Sequence, residues 1–146
     1  MEGSKAKVVV VDASVVVKWF NQEEYTEPSL LMLDSYRAQK VDLIAPYLLI
    51  YEVANALRFN TEFGEADVKE SLAYLRKLQL DLKPVNDTDM EKAVSIAFGL
   101  GLTIYDSIYV ALAEKEDCVL YTADGKILAK LTNKKKKVRH ISEYSS

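Results

Sequence analysis

The sequence predicts an α/β sandwich built on a parallel sheet. Two observations predict it. Short runs rich in valine, isoleucine and leucine recur along the chain, each of strand length. Longer stretches of helical periodicity separate them, so consecutive strands pair in parallel through right-handed crossovers. The chain has 146 residues, 49% of them hydrophobic, enough to bury a core without disulfides. Residues 1–146 are therefore read as a single domain, with an ordered core over about 8–143.

The elements follow in order. Val8–Asp12, a run of four valines closed by an acid, reads as a buried strand. Ser14–Asn21 starts a helix, and a second helical pattern begins near Pro28 and runs to Tyr36 and Arg37, with proline in its favoured first turn. Asp42–Ala45 is a short strand ended by Pro46. A long helix is predicted from Tyr47 to about Phe63, closed by Gly64. Glu65–Lys77 is helical, with Val68, Leu72, Leu75 and Leu78 on one face. Leu82–Val85 is a strand placed at an edge by Pro84. Thr88-Asp89-Met90-Glu91 reads as a capping box opening a helix to about Phe98. Tyr105–Glu116 is helical, Cys118–Thr122 a strand, Lys126–Leu131 a helix and Lys137–Ile141 a last strand.

Composition excludes several chemistries. With one cysteine, Cys118, no intrachain disulfide forms, and a reducing cytoplasm is the expected compartment. His140 is the only histidine and is expected to be structural. A metal-free ribonuclease using two histidines is excluded, as is a zinc site of His and Cys. No stretch approaches the roughly 20 apolar residues of a membrane span, so no membrane is expected. The valines after Lys5 and Lys7 are too few for a signal peptide and are interrupted by Asp12. Net charge is −3, with a local basic run at Lys134–Lys137 and Arg139. A polyanion would have to be met by that patch or by bound cations. The run itself reads first as a solvated turn.

Two acids stand out because each interrupts an apolar segment. Glu52 lies in Leu43–Ala54, whose other residues are apolar, aromatic or proline, and no cation sits three or four positions away. Such a helix reads as buried, and a carboxylate there costs several kcal/mol unless protonated, paired or bound to metal. Asp12 ends the valine strand, where it also suits an N-cap with Ser14 beyond it. Asp106, three residues after Thr103, fits a helix first turn, and Asp124 before Gly125 fits a turn or cap. In open parallel sheets sites form beyond the carboxyl ends of strands, where Asp12 and Asp124 fall. Carboxylates about 4 Å apart repel by roughly 4 kcal/mol at an effective dielectric of 20, so a cluster of them requires a cation. Oxygen-only ligands select Mg²⁺ or Mn²⁺, ions that support hydrolysis of a phosphodiester.

Val10-Val11-Asp12-Ala13-Ser14-Val15-Val16-Val17-Lys18-Trp19-Phe20 resembles the opening of PIN-domain proteins, particularly VapC-type toxins of toxin–antitoxin pairs. Glu52-Val53-Ala54-Asn55-Ala56-Leu57 resembles their second acidic motif, Tyr105-Asp106-Ser107 the third and Tyr121-Thr122-Ala123-Asp124 the fourth. The four occur in order and span Val8 to Glu143. The resemblance implies a three-layer α/β/α fold with a central parallel sheet, Mg²⁺- or Mn²⁺-dependent endoribonuclease activity on RNA, a homodimer and a small antitoxin partner. It also implies that Asp12, Glu52, Asp106 and Asp124 hold metal or activate water. Ser14 would orient Asp12 or a bound water, Thr122 would brace Asp124, and Asn55 would help fix Glu52. Gly125 follows Asp124 where the family commonly has a bulkier residue, so Asp124 is expected to be the looser member of the set. Trp19 and Phe20 are expected to pack in the core, with a partner groove as the other use of such aromatics.

Other classes fit less well. An aspartate-nucleophile phosphatase wants a second Asp where Ser14 stands, and no glycine-rich phosphate loop follows the first strand. A phosphorelay receiver lacks its adjacent acidic pair. The alternatives retained are a PIN nuclease of RNA maturation or decay without an antitoxin, and a catalytically idle PIN-like scaffold that binds partners.

Overall fold

The structure, a computed structural model, describes residues 6–131 and 137–146. Five parallel strands form one sheet in the order β3-β2-β1-β4-β5. In chain order they are β1 (Lys7–Val11), β2 (Val41–Pro46), β3 (Asp81–Lys83), β4 (Val119–Thr122) and β5 (Val138–His140). Between β1 and β2 lie α1 (Ala13–Val16), a 3₁₀ turn at Val17–Trp19 and α2 (Thr26–Arg37). α3 (Leu48–Arg58) and α4 (Glu65–Lys77) join β2 to β3, and α5 (Asp87–Leu100) and α6 (Ile104–Lys115) join β3 to β4. α7 (Gly125–Leu131) joins β4 to β5.

The chain steps outward from β1 to β3, then crosses back to β4 and continues to β5. Right-handed crossovers therefore put α1–α4 on one face and α5–α7 on the other, the three-layer α/β/α arrangement. Neighbouring β1 and β4 lead off in opposite directions, which opens a crevice at their carboxyl ends. Val9, Val10 and Val11 are almost wholly buried, as expected for a central strand covered on both faces. They share one core with Leu43, Leu49, Val53, Leu57, Tyr109 and Leu120. α6 packs across β1, β2 and β4, so its first turn is delivered to the crevice.

Several boundaries differ from expectation for identifiable reasons. The helix expected over Ser14–Asn21 is one α-turn followed by a 3₁₀ turn, which suits a run of three β-branched valines. The long helix expected to Phe63 stops at Arg58, and Gly64 does not close it. Gly64 instead starts α4, where its amide donates to Asp67. The capping box of α5 is Asn86 with Asp89 rather than Thr88 with Glu91, since both reciprocal bonds run between Asn86 and Asp89. Pro84 lies just past β3 rather than within it, and β3 is an edge strand. α3 is buried on one face only: Tyr47 and Tyr51 face solvent, so its uniformly apolar sequence did not mean burial all round.

Candidate active site

Asp12 follows β1 directly, and its amide continues the ladder by donating to the Tyr121 carbonyl of β4. The residue is buried, 5% exposed. Its Oδ1 accepts from the Ser14 hydroxyl at 2.6 Å and the Val15 amide at 3.3 Å, which caps α1. Its Oδ2 accepts from the Thr122 hydroxyl at 2.5 Å. That hydroxyl in turn accepts the Asp124 amide at 2.9 Å, and the Ser14 oxygen accepts the Ala123 amide at 2.8 Å. Ser14 and Thr122 thus clamp the ends of β1 and β4 together around one carboxylate. Burial pushes Asp12 up to about 6, against the pull of its hydrogen bonds from Ser14, Thr122 and Val15, with the Asp106 charge adding to the rise.

Glu52 is half-buried on the inner side of α3, and the Tyr109 hydroxyl of α6 donates to its Oε1 at 2.7 Å. Burial raises Glu52, the Tyr109 bond opposes the rise, and Asp106 adds to it. Tyr109 is held far above the usual phenol range by burial and the Glu52 charge, so its hydroxyl keeps the proton it donates to Glu52. Asp106, also half-buried, sits in the first turn of α6, where its amide donates to the Thr103 hydroxyl of the N-cap. Burial and then the Asp124 charge raise Asp106, while Thr103 and the Lys126 charge pull it down. Asp124 stands between β4 and α7, and its Oδ1 accepts the Lys126 amide at 2.8 Å. One of its oxygens therefore serves as the cap of α7.

All four acids line one open cleft of about 480 Å³, together with Ser14, Lys18, Asn21, Glu23 and Tyr109. The donors are of the right kind for a hard divalent cation, since oxygen is the only ligating atom they offer. Among the described residues, however, no three acids converge closely enough to form a ready-made metal-binding group. The acids nevertheless feel one another, for Asp106 raises both Asp12 and Glu52 and is itself raised by Asp124.

A family model for the PIN domain matches residues 9–133, a span holding all four acids. The chain belongs to the PIN-domain family. A Pyrobaculum aerophilum protein named Ribonuclease VapC3 is 32% identical over 126 residues, covering 84% of this chain and 93% of its own. Exonuclease VapC9 of the same organism is 32% identical over 97 residues, 66% of this chain and 73% of its own. Among solved structures, a chain of a toxin–antitoxin complex from Klebsiella pneumoniae superposes with a TM-score of 0.68 at 14% identity, covering 93% of this chain and 99% of that one, a likeness of fold. Within the PIN family this chain is therefore VapC-like.

Not every residue singled out in the PIN motifs reaches the cleft. Asn55 is exposed and makes no hydrogen bond to Glu52 among the described residues; Tyr109 takes the role expected of it. Thr122 braces Asp124 through the backbone amide, and its closer partner is Asp12. Lys134–Lys136 lie outside the described residues, and Lys137 pairs with Asp117. His140 stacks edge-on against Tyr25 at 4.5 Å, and its Nδ1 bonds Ser142, a local structural role. Cys118 is half-buried just before β4. The Trp19 indole donates to the Ser29 carbonyl and the ring packs on the core. Sequence reasoning passed over Tyr109 and Lys18. Tyr109 follows Asp106 by three residues, one helical turn, and that spacing could have flagged it.

Proposed function

We propose that this PIN protein is a Mg²⁺- or Mn²⁺-dependent endoribonuclease and the toxin of a toxin–antitoxin pair. The observation that carries the reading is the cleft itself. Four carboxylates from β1, α3, α6 and the end of β4 line one crevice at the sheet's switch point, and burial and mutual charge raise three of them. A bound Mg²⁺ or Mn²⁺ would neutralise that charge, hold a phosphate oxygen and make a water more acidic. Asp12, Glu52 and Asp106 would hold the cation, and Asp124 would contribute through its remaining oxygen. Ser14 and Thr122 fix the direction of Asp12, and Tyr109 fixes Glu52, so both carboxylates are pre-oriented. Asp12 is buried and already engaged by three donors, so an attacking water reaches it less easily than the other two. Glu52 or Asp106, both open to the cleft, would take the proton from the attacking water.

VapC3's name makes it a ribonuclease and VapC9's an exonuclease, so the mode of attack is tested directly. Circular RNA has no ends, and its cleavage with Mn²⁺ or Mg²⁺, abolished by EDTA and by Asp106→Asn, is the expected result. Metal-independent cleavage, or full activity in Asp106→Asn, would overturn the reading. Degradation of linear RNA only would make it an exonuclease.

An antitoxin partner is supported by the toxin–antitoxin neighbour and by an apolar groove of about 360 Å³ walled by Tyr47, Tyr51, Leu72 and Leu82. Growth arrest on expression, relieved by a small co-expressed protein, is expected; harmless expression would contradict it. A homodimer is proposed with it, supported by large aromatics left exposed at Phe59 (74%) and Phe98 (86%), neither of which lines that groove. A cytoplasmic location fits the single unpaired cysteine.

A further inference from the structure

The cleft holds one cation among its described lining residues, Lys18, and the proposed mechanism does not use it. Its side chain is only 9% exposed, and Nζ donates to Glu23 Oε1 at 2.8 Å, which is the single acceptor it has among the described residues. An ammonium has three N–H donors, so two remain for something else. Glu23 is 39% exposed on its side chain and also lines the cleft. It is set there by a tight turn: the Thr26 hydroxyl accepts the Glu23 amide at 2.9 Å and donates to the Asn21 carbonyl at 3.1 Å. The pair with Glu23 ties the turn to the helix but does not by itself require a buried ammonium. An aliphatic side chain would fill the same space without the cost of desolvating an ammonium.

We infer that Lys18 is a phosphate-binding residue for the RNA backbone beside the scissile bond, and that Glu23 restrains it by competing for the same ammonium. The inference rests on the nuclease reading of the cleft. An incoming polyanion meets Asp12, Glu52, Asp106 and Asp124, whose charge a bound divalent cation would offset. A phosphate beyond that cation's reach would need a cation of the protein's own, and Lys18 lines the same cleft. Because Glu23 is half in solvent, it can release Lys18 to a phosphate and be hydrated itself.

The two residues then predict opposite signs. Binding of a fluorescent 2′-O-methyl RNA decamer by the full chain in Mn²⁺ is read by anisotropy, and cleavage of the matching ribo-oligonucleotide is followed in parallel. Lys18→Gln should weaken binding about tenfold, the scale of one charge-assisted hydrogen bond. It should also lower the slope of log K against log salt by about 0.7, the loss of one phosphate contact on a single strand. Glu23→Gln should tighten binding severalfold, and Lys18→Arg should keep most of the affinity. Thermal unfolding of each variant reports whether the fold is intact, and Lys18→Arg preserves the charge if the neutral variant unfolds.

If the ion pair only clamps the turn, Lys18→Gln and Glu23→Gln break the same clamp and move affinity the same way, or not at all. That result, with wild-type cleavage intact, overturns the role of Lys18 and leaves the nuclease reading standing. Opposite signs with no cleavage by the wild type would keep Lys18 as a phosphate contact and reject the nuclease. No binding and no cleavage by the wild type would reject both.

Discussion

Asp12 carries the strongest consequence at the scale of single residues. Its folded value of about 6 lies above the ordinary 3.8, so the folded protein holds the proton more tightly than the unfolded chain does. The contribution to stability is full below the ordinary value and is lost as pH rises through about 6. Above that pH the ionised, buried carboxylate is a burden of up to about 3 kcal/mol. Asp12→Asn in EDTA should therefore be more stable than the wild type at pH 8, and the difference should vanish below pH 4. Chemical denaturation across that range checks it, and equal stabilities throughout would contradict the assigned burial. Thr122→Val should act differently, since it strips a donor from Asp12 and orphans the Asp124 amide. The expected cost is about 1–3 kcal/mol in stability, with a loss of activity of roughly 10–100-fold.

Among the elements, α6 does the most to assemble the cleft, bringing Asp106 in its first turn and Tyr109 one turn later. Tyr109→Phe keeps the ring's packing and removes the bond to Glu52. The Mn²⁺ concentration needed for half-maximal activity should rise about tenfold while the fold stays intact. An unchanged requirement would mean Glu52 needs no such support. The α5 start offers a purely structural check. Asn86→Ala should cost about 1 kcal/mol in thermal unfolding, and Thr88→Ala close to nothing, because Asn86 makes the cap.

These elements also show what was legible in the sequence. Asp12 and Glu52 could be read from physics alone, as acids set in apolar runs, and Asp106 and Asp124 only through motif context. The clamp of Ser14 and Thr122 across 108 positions depends on β1 pairing with β4, which no local pattern encodes. Tyr109 was hidden for the same reason, its partner lying on a helix 57 positions away. Burial of α3 was overread because Tyr51 is apolar in composition yet faces solvent. Lys18 escaped notice because a lysine among valines reads as the polar edge of a helix.

For the molecule as a whole, the parallel sheet and its switch point between β1 and β4 concentrate acids from four separate elements in one crevice. The core fixes the elements that carry those acids, while burial and mutual charge oppose the ionised forms of Asp12, Glu52 and Asp106. The fold therefore carries an electrostatic debt that a divalent cation would relieve. Thermal unfolding at pH 8 of wild type and Asp12→Asn, each in EDTA and in Mn²⁺, tests this most directly. In EDTA the variant should melt higher; in Mn²⁺ the wild type should rise by several degrees and overtake it. A wild type whose melting does not respond to Mn²⁺, or a variant that gains as much as the wild type, would contradict a cation site built on Asp12.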